Sequence, residues 1–68
     1  MRRIKVCVIE DSKVIQKILL DILSSDSEIE IVGCAEDPLI GRELIRKTNP
    51  DVITLDIWGS DSILNYAI

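Results

Sequence analysis

Three short runs rich in β-branched and aliphatic residues, at positions 4–9, 29–35 and 51–57, alternate with two segments whose apolar residues recur at helical spacing. That alternation leaves few architectures open. The first run carries only Lys5 as a charge, which suits a strand buried on both faces of a parallel sheet. Strand, helix, strand, helix, strand with short connections predicts right-handed parallel βαβ units, hence an α/β fold.

From Val14 the apolar positions Val14, Ile15, Ile18, Leu19, Ile22 and Leu23 form a helical stripe, with Lys13, Gln16, Lys17 and Asp21 on the other face. Asp11 or Ser12 caps this helix, and Ser24-Ser25-Asp26-Ser27 ends it in residues that prefer turns. The run at 29–35 is part alternating and part continuous, as expected at or near a sheet edge. Asp37 before Pro38 is an N-cap followed by proline at the first helical position. Leu39, Ile40, Leu44 and Ile45 are the expected buried stripe of this second helix. Arg46 and Lys47 suit its last turn, and Asn49-Pro50 stops it because a residue before proline avoids the helical region.

A chain of 68 residues holds one small domain. A domain of this size hides only about 60% of the surface of its unfolded chain, so it is marginal alone. No apolar run approaches the roughly 20 residues of a membrane span. The basic Met1-Arg2-Arg3 is too soon followed by acids to be a signal peptide, so a cytoplasmic location is expected. Net charge is −4, with no histidine and eight scattered Lys and Arg, which argues against a nucleic-acid partner. Without histidine, carboxylates are the expected functional groups. Cys7 and Cys34 lack metal or redox spacing and read as buried, inert apolar residues.

In a parallel sheet Glu10 and Asp11, ending the first strand, arrive at the same rim as Asp56, ending the third. Three converging carboxylates repel one another, and a divalent cation relieves that repulsion. Few, hard oxygen ligands favour Mg²⁺, and with it phosphoryl chemistry in which a carboxylate is the nucleophile. Glu10 and Asp11 alone would read as helix caps or solvated turn residues; the third acid favours a site.

At these residues the sequence resembles a known family. Lys5-Val6-Cys7-Val8-Ile9-Glu10-Asp11-Ser12, then Val32-Gly33-Cys34-Ala35 with Asp37-Pro38, then Asn49-Pro50-Asp51-Val52-Ile53-Thr54-Leu55-Asp56-Ile57 look like the receiver domain of two-component response regulators. They are most similar to the receiver of the chemotaxis protein-glutamate methylesterase branch. The resemblance implies a partial doubly wound, flavodoxin-like sheet of strand order 2-1-3, covering residues 1–57, with a divergent tail at 58–68. It implies that Asp56 accepts a phosphoryl group from a sensor histidine kinase. It also implies that Glu10, Asp11, Asp56 and the backbone carbonyl of Trp58 hold Mg²⁺. Trp58-Gly59-Ser60-Asp61 departs from the family's Met-Pro and Asp-Gly pattern. The family's fourth and fifth strands, with their hydroxyl and lysine, lie beyond the resemblance, as does the methylesterase domain, so no methylesterase activity is expected.

A second reading is an interaction module without chemistry, pairing or dimerising through an exposed third strand. A nucleotide-binding βαβ unit is disfavoured because the loop after the first strand has no glycine. Trp58 and Tyr66 are either surface anchors for a partner or covers for the exposed sheet. In the tail, Ser60 would cap a helix stub with Ile63, Leu64 and Ala67 facing inward.

Overall fold

The computed structural model describes residues 2–56, with Asp56 defined through its backbone alone. Five elements follow one another: β1 (Ile4–Glu10), α1 (Lys13–Ser24), β2 (Ile29–Ala35), α2 (Pro38–Thr48) and β3 (Val52–Asp56). The strands form one parallel sheet in the order β2-β1-β3. This is the expected α/β topology, with β2 at an edge and β1 in the centre. Because the crossover from β1 to β2 runs one way and that from β2 to β3 runs back across β1, right-handed connections put α1 and α2 on opposite faces.

The core is β1 itself. Val6, Cys7, Val8 and Ile9 are buried, and Ala35 of β2 joins them. Cys7 and Ile9 face α2: a Cβ built on Gly33 of β2 would lie 3.3 Å from Cys7 Sγ and 3.4 Å from Leu44 Cδ1 of α2, and one built on Gly41 only 2.6 Å from Ile9 Cδ1. Gly41 is the one buried residue of α2, and the missing side chain is what lets the helix sit down on the sheet. Pro38, Leu44, Ile45 and Thr48 line the same half-buried face. Leu39 and Ile40, expected on that stripe, are exposed instead. The helix settles on its smallest residue, and that rotates the two larger ones outward.

A similar rotation affects α1. Its half-buried row is Gln16, Leu19, Leu20 and Leu23, so Leu19 and Leu23 face inward as expected. Val14, Ile15, Ile18 and Ile22 do not. This helix has two apolar rows, and periodicity alone cannot choose between them. The entry from β1 chooses: Ser12 is the N-cap, its Oγ accepting from Ile15 N at 3.4 Å, and Gln16 Nε2 reaches back to the Glu10 carbonyl at 3.5 Å. Of the two expected caps, Ser12 rather than Asp11 holds the position.

Asp37 caps α2 through hydrogen bonds from Leu39 N at 2.7 Å and Ile40 N at 3.3 Å. Such a cap contributes about 1 kcal/mol. Asn49 ends the helix in the left-handed region, φ 46° and ψ 60°, its N–H donating to the Ile45 carbonyl. Asparagine tolerates that conformation better than most residues.

The third strand begins at Val52, one residue later than the run at 51–57. Asp51 stands before it as a clasp: its N–H donates to the Lys5 carbonyl at 2.8 Å. Its carboxylate accepts from Lys5 N at 2.9 Å and from the Arg2 guanidinium at 2.7 Å. Ile57 lies outside the described residues, as do Trp58, Tyr66 and the helix expected near Ser60.

The Lys5 amide hydrogen bond, then the Arg2 and Lys5 charges, hold the Asp51 carboxyl below its usual value. A carboxyl with a lowered folded-state pKa contributes stability that is present above its unfolded pKa, about 3.9, and lost as pH falls through the folded value. Melting temperature followed from pH 6 downward should therefore fall below about pH 4. An Asp51→Asn variant should show a shallower acid limb; an identical limb would remove Asp51 from the account.

Candidate functional site

Parallel strands deliver their carboxyl ends to one rim, and β1 and β3 end there together: Glu10 is the register partner of Asp56. Asp11 follows at once, half-buried in the turn into α1. Two of the three acids singled out in the sequence thus share a rim with the backbone of the third. The Asp56 side chain and all of Trp58 lie outside the described residues. Among the described side chains no group of three metal-binding residues assembles.

Glu10 is fully buried, an unusual place for a carboxylate unless it is paired, hydrogen-bonded or functional. Its Oε2 accepts from Ser12 N at 3.0 Å, which sets the carboxylate against the first turn of α1, where the helix dipole favours negative charge. Ser12 therefore has two tasks. Its N–H braces Glu10 and its hydroxyl caps the helix. Asp11 and Ser12 were both expected as caps and the brace was not expected, although an acid two residues before a capping serine is a signal for it.

Lys13 opens α1 at the same rim and lies 3.7 Å from Glu36 in the turn after β2, both side chains largely exposed. Such a pair contributes little to stability. It ties the turn after β1 to the turn after β2.

Glu10, Asp11 and Asp56 would be all-oxygen donors, and the burial of Glu10 at the rim fits a small hard cation such as Mg²⁺ better than a soft metal. Bound there, the cation would offset the charge gathered on a transferring phosphoryl group.

The cysteines depart from expectation in part. Cys7 is buried, whereas Cys34 is exposed because it lies late on an edge strand that the helices leave partly uncovered. Both thiols are nevertheless pushed above the usual value, chiefly by local burial, with a smaller contribution from Cys34 at Cys7 and from Glu36 at Cys34. Neither is an activated nucleophile. Among the described residues, no helix is long and apolar enough to cross a membrane.

No protein-family model matches the chain. Curated relatives do. A protein-glutamate methylesterase/protein-glutamine glutaminase of Nitrosomonas europaea is 46% identical over 57 residues, 84% of this chain and 16% of that protein. One from Xanthomonas oryzae pv. oryzae is 52% identical over 54 residues, covering 79% of this chain and 15% of the relative. Another, from Ralstonia nicotianae, is 50% identical over 56 residues, 82% of this chain and 15% of its own length. The chain spans about one-sixth of the length of the relatives it matches.

Proposed function

We propose that this chain, a relative of the chemotaxis protein-glutamate methylesterases in their N-terminal receiver part, is a phosphoacceptor unit of a two-component relay. Asp56 is the acceptor and a sensor histidine kinase in the cytoplasm is the donor. The observation that carries this reading is the pairing of Glu10 with Asp56 at the rim, together with the complete burial of Glu10. A solvated turn acid would be exposed. The methylesterase and glutaminase activities named for the relatives are not assigned to this chain, which aligns with 15–16% of their length.

The chemistry is a displacement at phosphorus. An Asp56 carboxylate oxygen forms the new O–P bond as the N–P bond of the donor phosphohistidine breaks, and the departing imidazole keeps the electron pair and takes up a proton. The work of this chain is placement and charge. Its β1–β3 register fixes where the acceptor sits, and the Ser12 brace keeps the Glu10 carboxylate turned to the rim. Glu10 and Asp11 would hold Mg²⁺, without which a third and fourth negative charge would gather unopposed.

Incubation with acetyl phosphate and Mg²⁺, read by intact mass, tests the proposal. The chain should gain one phosphoryl group, and the gain should vanish in Asp56→Asn and in excess chelator. No gain in the folded chain, or an adduct that survives Asp56→Asn, would remove the proposal.

A further inference from the structure

We propose that Lys13 is the counter-charge of the acidic rim and sets how tightly that rim takes a divalent cation, keeping its hold weak and readily reversed. Lys13 acts on the site formed by Glu10, Asp11 and Asp56, so the inference rests on the reading of that rim as a cation site.

Lys13 is the first residue of α1, directly after the Ser12 cap. A helix N-terminus carries partial positive charge, so this position favours an acid and disfavours a cation. The chain follows that rule in α2, where Asp37 caps the start and Arg46 and Lys47 stand in the last turn. It reverses the rule in α1, which has no acid in its first turn and no base in its last. Lys13 and Lys17 both stand in the first half of the helix. The dipole gives no reason for a lysine at the start of α1; the acids around it do.

All eight Lys and Arg of the chain lie within the described residues. Arg2, Arg3 and Lys5 stand before or at the start of β1, and Arg46 and Lys47 at the end of α2. Both groups are at the far end of the sheet, where Lys5 Nζ donates to the Thr48 carbonyl at 3.2 Å. Lys17 and Arg42 come one turn into their helices, about 6 Å farther along the axis. Lys13 alone opens a helix at the rim, among Glu10 and Asp11 after β1, Glu36 and Asp37 after β2 and the backbone of Asp56.

The Lys13 ammonium is 3.7 Å from Glu36 Oε1, and both side chains are largely exposed. A pair this long and this solvated holds its partners loosely. The ammonium therefore acts on a cation at the rim through its field rather than through a fixed bond. With no cation bound it offsets one of the rim's negative charges, and it repels a cation that arrives. Both effects lower affinity.

Calorimetric titration of the full chain with Mg²⁺ at low ionic strength tests this. Lys13→Met should bind Mg²⁺ about threefold more tightly than the parent, the size expected of one screened charge within a Debye length of a divalent ion. Lys13→Arg, which keeps the charge, should bind as the parent does, and Lys17→Met, one turn farther away, should gain less than Lys13→Met. In roughly 1 M KCl, where the Debye length shrinks to about 3 Å, the gain should disappear; a repacked helix start would not show that dependence. Equal affinity of Lys13→Met and the parent would overturn the role of Lys13 and leave the cation site standing, as would a gain that persists in high salt or is shared by Lys13→Arg. A parent and a Lys13→Met variant that both take up no Mg²⁺ would overturn the cation reading and the role of Lys13 together.

Discussion

Replacing Gly41 with valine should destabilise the domain by about 2–3 kcal/mol, enough to leave a unit this small largely unfolded. The first added carbon already falls 2.6 Å from Ile9 Cδ1 and 3.0 Å from Ile9 Cγ1. Ile9 is 2% exposed, so it has nowhere to retreat. Either α2 lifts from the sheet, uncovering Cys7 and Ile9, or the isoleucine leaves its rotamer. The gain in helix propensity over glycine, well under about 1 kcal/mol, does not offset this. Urea unfolding followed by circular dichroism measures the loss. A second substitution, Ile9→Ala, should recover part of it, because the two residues occupy one volume and their effects cannot add. Equal stability of Gly41→Val and the parent would mean that α2 does not rest on Ile9.

Glu10→Gln should weaken Mg²⁺ binding by roughly tenfold or more, about 1.4 kcal/mol, with no loss of stability in metal-free buffer. The amide oxygen of glutamine can still accept the Ser12 N–H, so the brace into α1 survives. What disappears is one negative charge beside Asp11 and the backbone of Asp56, and its removal would relieve repulsion in the absence of a cation. Calorimetric titration with Mg²⁺ and a melt in chelator, run on both proteins, separate the two roles. Unchanged affinity would remove Glu10 from the cation site. A large drop in metal-free stability would make its carboxylate structural.

How far these features were legible in the sequence depends on what each one rests on. The strand and helix order, the Asp37-Pro38 helix start and the edge position of β2 are local patterns, and they appear in the structure as read. The faces of the helices are not local. Val14, Ile18 and Ile22 form as good an apolar row as Leu19, Leu20 and Leu23, and only the docking of α1 through Ser12 and Gln16 decides between them. Gly41 was passed over for the same reason. Glycine has no hydrophobicity to register in a periodic stripe, yet its emptiness positions α2 over Ile9. Cys34 was misread because an edge strand leaves exposed what the middle of a sheet would bury.

At the rim, the acids at 10 and 11 were readable from strand ends, and the register pairing of position 10 with position 56 followed from parallel topology. The Ser12 brace was not, since it depends on the backbone turning so that an N–H meets the carboxylate two residues earlier. Trp58 was singled out in the sequence as a carbonyl ligand and lies outside the described residues.

If positions 10, 11 and 56 meet to hold one hard cation, a paramagnetic ion bound there will mark them. Substoichiometric Mn²⁺, added to ¹⁵N-labelled chain as a paramagnetic stand-in for Mg²⁺, reads this directly through amide line widths. The amides of Glu10, Asp11, Ser12 and Asp56 should broaden first, and excess Mg²⁺ should restore them. Broadening centred on the opposite end of the sheet near Lys5 and Asp51, or spread evenly over the surface acids, would contradict it.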